Sequence, residues 1–307
     1  MKNKKNFWFV LSIIIMAIII ISTIVVINVL SPKQKKQISY FAFFDIGAFK
    51  NTNDKWSVIP IDDTQVFSNK FDVLIDNEYM GKYELRYFDN KWYFFDNDMN
   101  SESFSGDLFA YHSNQKVSVA NIVINELESS DLTYVNKVLE KEGYSLSSLN
   151  NLTISEKIEF DIDSDGEDEV IYSVSDADIM SNQKNAFSTV FYLKNNKVYT
   201  IKLDIYTSNN QIYSLYSINN LFKIGNSNKY YMCIYKFSEM NSENQEISIY
   251  KLNKSNHYEL AISSNDKIDK SKEKGNSIIA LVIILPILII GAIVIIIYYN
   301  ISKNNID

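Results

Sequence analysis

The run Asp161-Ile162-Asp163-Ser164-Asp165-Gly166-Glu167-Asp168-Glu169 holds the side chains of this sequence best spaced to grip a metal ion. Carboxylates stand at its first, third, fifth and ninth positions, and a glycine stands at the sixth. A hard cation takes about six to eight oxygens, and the chain must reverse sharply to converge them. Asp161, Asp163, Asp165 and Glu169 are thus candidate side-chain ligands, with Ca²⁺ as the candidate ion. Electrostatics point the same way. A like-charge contact at about 4 Å costs about 4 kcal/mol at an effective dielectric near 20, before solvent screening. Without a positive partner the loop is expected to splay or take up protons.

Other chemistries fit the same residues less well. An EF-hand needs Glu at the twelfth position, where Tyr172 stands, and a helix afterwards, whereas Val170-Ile171-Tyr172-Ser173-Val174 is β in character. Phe160-Asp161-Ile162-Asp163 also resembles the first motif of haloacid-dehalogenase-type phosphatases, which implies Asp161 as nucleophile and Asp163 as general acid. That fold requires alternating strands and helices, and the sequence after Asp163 shows no parallel βα units. His112 and His257 are the two histidines and share no helical pairing, so zinc and Ser-His-Asp chemistry are poor fits. Cys233 is the single cysteine, which excludes an intramolecular disulfide.

The acidic run matches D-x-D-x-D-G-x-x-[DE] followed by an apolar strand. In this it resembles the calcium loop of FG-GAP/VCBS-type repeats, the blade units of integrin-like β-propellers. The resemblance implies ion contacts from Asp161, Asp163, Asp165 and Glu169, with the main-chain carbonyl of Glu167 completing the ring. It covers about fifteen residues closely and 154–260 loosely. The Phe-Gly signature is absent and one loop is intact, while a closed propeller takes at least about four blades.

The elements that position this loop are mostly strands. Aromatics make up 14% of the chain, with 21 Tyr and 18 Phe against 8 Gly and 3 Pro, which favours β structure. Tyr83, Leu85 and Tyr87 alternate with Glu84, Arg86 and Phe88, then Asp89-Asn90 precedes Trp92-Tyr93-Phe94-Phe95, a hairpin pattern. Phe71–Ile75 with Asp76-Asn77 reads as the preceding strand and turn. These aromatics are assigned to cross-strand packing before a carbohydrate site. One soluble helix is expected over Ser130–Gly143, capped by Ser130 or Asp131, with Leu132, Val135, Val138 and Leu139 at helical spacing and Gly143 as its stop. Glu159–Ser175 aligns without gaps on Leu221–Phe237 at an offset of 62, pairing Phe160 with Phe222, Ile162 with Ile224 and Ile171 with Cys233. In the second copy the carboxylates have become Lys223, Gly225 and Ser227, which keeps the strands and loses the ion.

Two uncharged stretches flank this region. Phe7–Leu30 has 24 residues, about 36 Å as a helix, enough for a hydrocarbon core of about 30 Å. Ile278–Tyr299 is the second, with Pro286 and Gly291 as positions where a span could bend and Tyr298-Tyr299 at its end. A cleaved signal peptide competes for the first, but its apolar region is usually about 7–15 residues. Lysines near the spans favour a cytoplasmic loop if counted literally. The loop is nevertheless placed outside, because a weak calcium loop works at extracellular calcium levels.

The expected fold class is a mainly β ectodomain, a meander plus propeller-blade-like repeats with one short helix, flanked by two transmembrane helices. The expected divisions are a cytoplasmic N-terminus (1–6), a span (7–30), a β-rich part (31–119), a calcium-loop β part (120–265), a linker (266–277), a second span (278–299) and a cytoplasmic C-terminus (300–307). The net charge of −7 argues against nucleic acid. Expected function is a non-enzymatic, membrane-anchored Ca²⁺-binding surface module with a protein or glycan partner. A sensor or accessory subunit of a membrane complex is the alternative.

Overall fold

The computed structural model describes Met16 and residues 36–266, apart from 44–45, 61–65, 89–90, 99, 103, 105, 179–184, 208–212 and 239–244. Among the described residues seventeen strands form three antiparallel sheets, and those from Ile38 onward belong to one compact unit. The first sheet holds β1 (Ile38–Phe43), β2 (Gly47–Thr52), β3 (Lys55–Ile59), β4 (Val66–Ile75), β5 (Glu78–Phe88), β6 (Lys91–Phe95), β7 (Ser101–Glu102) and β8 (Leu108–Ser113), in the order β3-β2-β1-β8-β4-β5-β6-β7. The expected β5–β6 hairpin forms, with Tyr87 opposite Trp92. Asp76 and Asn77 turn β4 into β5 with φ of 49° and 65°, the left-handed pair that a tight hairpin needs and Asn or Asp tolerates.

The second sheet is a meander of β10 (Ile154–Phe160), β11 (Glu169–Ser175), β12 (Ala186–Lys194) and β13 (Lys197–Tyr206). The third holds β14 (Leu215–Ile224), β15 (Tyr231–Phe237), β16 (Glu246–Leu252) and β17 (Tyr258–Ser263) in the same meander order, with β9 (Val117–Val119) added beside β14. The strands follow the internal alignment: β11 and β15 begin and end 62 residues apart. Two such meanders are present among the described residues.

Side-chain alternation explains the stacking. Along β15, Met232 and Ile234 join a core shared with Ile158, Ile171, Val190 and Tyr192 of the second sheet. Cys233 between them joins Phe41, Phe43, Phe49 and Phe109 of the first. A strand buried on both faces reads as an unbroken apolar run rather than an alternating one. The far face of the second sheet is covered by α1 (Leu132–Leu139), whose Val135, Val138 and Leu139 pack with Tyr172, Phe187 and Phe191.

Two expectations change here. No helix among the described residues is long and apolar enough to cross a membrane. α1 has eight residues, about 12 Å of rise against the roughly 30 Å a bilayer core requires. The expected spans 7–30 and 278–299 lie outside the described residues, save Met16. The flanking transmembrane helices, and the two-span cell-membrane location built on them, are therefore corrected to a mainly β fold with one short helix. The helix is also shorter than expected. Ser129–Asp131 and Glu140–Glu142 at its ends are 3-10 turns; Asp131, one of the two expected caps, stands at the N-cap of α1, and Glu128 caps the preceding 3-10 turn in a capping box with Asp131. Gly143 does end the run, at φ 73°. β9, just before Ala120 in sequence, pairs with β14 and so adds an edge strand to the third sheet.

Candidate functional site

The acidic loop joins β10 to β11, and hydrogen bonds to its own backbone shape it. Asp161 Oδ1 accepts from Asp165 N at 3.1 Å and its Oδ2 from Gly166 N at 3.0 Å. Asp165 Oδ1 accepts from Glu167 N at 3.0 Å, and Glu169 Oε2 from Ile162 N across the loop at 3.0 Å. The reversal uses left-handed backbone at Ser164 (φ 57°) and Gly166 (φ 91°). Glycine at the sixth position of the run thus relieves the strain that a side chain would bring.

Of the residues singled out from spacing, Asp161, Asp163 and Glu169 converge, with a carboxylate oxygen from each within 4.8 Å of the others. Asp165 reaches the same centre from a more exposed position, 43% accessible at its side chain. Glu167 takes part through its amide N–H, while its side chain, like that of Asp168, is exposed.

A lysine sits at the centre. Lys194 Nζ donates to Asp163 Oδ2 at 2.8 Å, Asp165 Oδ2 at 2.7 Å and Glu169 Oε1 at 2.6 Å. The side chains of Lys194, Asp163 and Glu169 are 15%, 5% and 2% exposed. Burial works against the lysine's charge, but the hydrogen bonds to the three carboxylates outweigh it and raise its pKa. Burial pushes Glu169 up, against the pull of Lys194. Asp165 is held below the usual carboxylate range by its hydrogen bonds to Lys194 and the Glu167 N–H.

The third sheet closes the site from the other side. Asn256, in the β16–β17 turn at φ 57°, donates Nδ2 to Asp163 Oδ2 at 2.9 Å. Its Oδ1 accepts from Lys229 Nζ at 2.7 Å, and its main-chain carbonyl accepts from Tyr192 OH at 2.7 Å. Ser164 Oγ donates to the Asn228 carbonyl at 2.7 Å, and Tyr230 N to the Ile162 carbonyl at 2.9 Å. The acidic loop is thereby a junction between the two meanders, facing the β14–β15 loop.

No family model matches this chain, and neither a curated protein nor a solved structure does so. The site rests on its own geometry.

The ligand set suits a hard divalent ion in one further respect. Asp163 Oδ1 is buried and has no hydrogen-bond partner among the described residues. A buried carboxylate oxygen without a donor is costly, and a cation is one way to satisfy it. Asp161, Asp163, Asp165 and Glu169 are the residues that would hold such an ion. Spacing alone missed Lys194, Asn256 and Lys229. Lys194 becomes visible only through register, since Leu193 pairs with Val170 and Lys194 follows it at the end of β12, beside Glu169.

Proposed function

We propose that this β assembly is a non-catalytic binding or structural module in which 161–169 is a cation-held clamp between two sheets, with Ca²⁺ as the ion. The observation that carries the reading is Asp163. It is almost fully buried, its Oδ2 is shared between Lys194 and Asn256 from different sheets, and its Oδ1 has no partner. A hard ion with a high coordination number completes such a group, and its contacts would bind the two meanders more tightly together. The antiparallel strands on both sides of Asp161 support this over phosphoryl chemistry, and so does the use of both Asp161 oxygens in shaping the loop.

The test is a thermal melt of the full chain in chelator and in about 10 mM Ca²⁺. With a dissociation constant of order 1 mM, ligand linkage adds about 1.4 kcal/mol, or about 3–6 °C for a domain of this size. Asp163→Ala is expected to abolish the shift. A wild-type melt unmoved by Ca²⁺ would sink the assignment.

A further inference from the structure

Three of the four side chains that the spacing offers to an ion are already engaged by Lys194, whose ammonium contacts Asp163, Asp165 and Glu169 at 2.6–2.8 Å. The lysine is not there by the drift of a long surface side chain. Its neighbour Leu193 is paired with Val170, the residue next to Glu169, which brings Lys194 alongside that carboxylate. The turn that follows at once, Asn195-Asn196 with φ of 51° and 59°, fixes the end of β12. The side chain is largely covered.

We propose that Lys194 is a tethered counter-ion that competes with a divalent cation for the 161–169 loop, so that the clamp has a lysine-held and an ion-held form. The proposal rests on the Ca²⁺ reading above and concerns how that site is regulated. Both occupants need the same lone pairs, so they exclude one another. The lysine supplies one charge and leaves Asp163 Oδ1 without a partner. A divalent ion brings twice the charge and more coordination positions, and can take that oxygen as well. Lysine is suited to leave, because its compact, strongly hydrated ammonium rides on a flexible stem. The residues beside it, Asn195, Asn196 and Lys197, are exposed, so water is close at hand.

Two consequences follow. Lys194 keeps the loop folded when no ion is present, because the carboxylates never face one another without positive charge. It also lowers the affinity for the ion, since entry must displace three charge-assisted contacts. Ion occupancy is thereby coupled to release of the Lys194 side chain, at the end of β12, from the acidic loop.

The experiment compares the full chain with Lys194→Met and Lys194→Gln across a Ca²⁺ titration, read by thermal melting. In chelator both variants are expected to melt below wild type, and their half-saturating Ca²⁺ is expected to be at least about tenfold lower, given the strength of the contacts removed. Variants that fold only in Ca²⁺ support the proposal equally. Wild type supplies a second readout that needs no substitution: labelling with an amine-acylating reagent, located by peptide mass spectrometry. Lys194 is expected to be protected in chelator and labelled at saturating Ca²⁺. Equal Ca²⁺ responses in all three proteins would overturn the competition and leave the ion site standing. So would Lys194 labelling that stays constant while the wild-type melt moves. If none of the three responds to Ca²⁺, the ion reading itself fails. If neither variant folds in any condition, the wild-type labelling decides.

Discussion

At the scale of single residues, Asp163 and Asn256 tie the two meanders together. The bond between them is 2.9 Å long and joins residues 93 apart in sequence, so it contributes only once both sheets have formed. Asn256 makes a second side-chain bond, accepting from Lys229, and sits in left-handed backbone. Replacing it by glycine keeps that backbone at no steric cost and removes both bonds. Each net hydrogen bond is worth about 0.5–1.5 kcal/mol, with more at stake when a charged partner is left buried. Asn256→Gly is therefore expected to lower unfolding stability by about 1–3 kcal/mol, seen as a lower denaturant midpoint at unchanged slope. A midpoint within error of wild type would mean that the junction is held without this residue. Little of this was legible in the sequence. The carboxylates announce themselves by alternate spacing around a glycine, because their function is local. Lys194 and Asn256 lie on other strands and turns, and no spacing rule links them to the loop. They enter through pairing register and sheet stacking, which a linear pattern does not carry.

At the scale of elements, the helical segment shows which local signals survive folding. Gly143 was readable as a terminator, and its φ of 73° agrees with that role. The N-terminal end was less readable because Asp131 has a tertiary task as well. It accepts from Glu128 N at 2.8 Å and from the buried Tyr172 hydroxyl at 2.8 Å. The segment thus starts with a 3-10 turn that aims this carboxylate at β11, and regular α geometry begins only at Leu132. A Cβ added at Gly143 would meet nothing within 4 Å. Gly143→Ala therefore isolates backbone strain from crowding. The expected cost is about 1 kcal/mol, the usual penalty for a non-glycine residue in the left-handed region. Measured by chemical denaturation, a neutral or stabilising outcome would show that the turn can relax to another geometry. The strands were the most legible elements. Tyr83–Phe88 and Trp92–Phe95 pair as their alternation suggests, and the repeat at an offset of 62 falls on real strands. The flanking apolar stretches carried a strong signal for membrane helices, and no helix of that kind exists among the described residues.

At the scale of the whole molecule, the sheets are held apart in register by a few polar groups set among apolar layers. Glu156 on β10 is the clearest. Half-buried, it accepts from Ser217 Oγ at 2.7 Å and from Ile218 N at 3.3 Å, both on β14 of the facing sheet. These bonds meet β14 where its pairing with β15 is irregular, between Ile218 and Asn220. Burial pushes the carboxyl of Glu156 above its ordinary value, the two hydrogen bonds pull it back, and the charge of Asp107 adds to the rise. A carboxyl whose pKa is higher folded than unfolded binds its proton more tightly in the folded state. Its stabilising contribution is complete below the unfolded value of 4.5 and is lost as pH rises through the higher folded value. The sign is opposite to that of a carboxylate held by a cation, so this sheet interface is expected to weaken with rising pH. Glu156→Gln keeps the shape of the group and an oxygen for Ser217 but removes the titration. Between about pH 5 and about pH 8, wild type is expected to lose stability relative to the variant, so that the two denaturation curves separate toward the alkaline end. Curves that stay parallel across that range would show that Glu156 ionises without cost. In that case water or the Ser217 and Ile218 donors meet its charge fully, and the contact between the two meanders does not depend on its protonation.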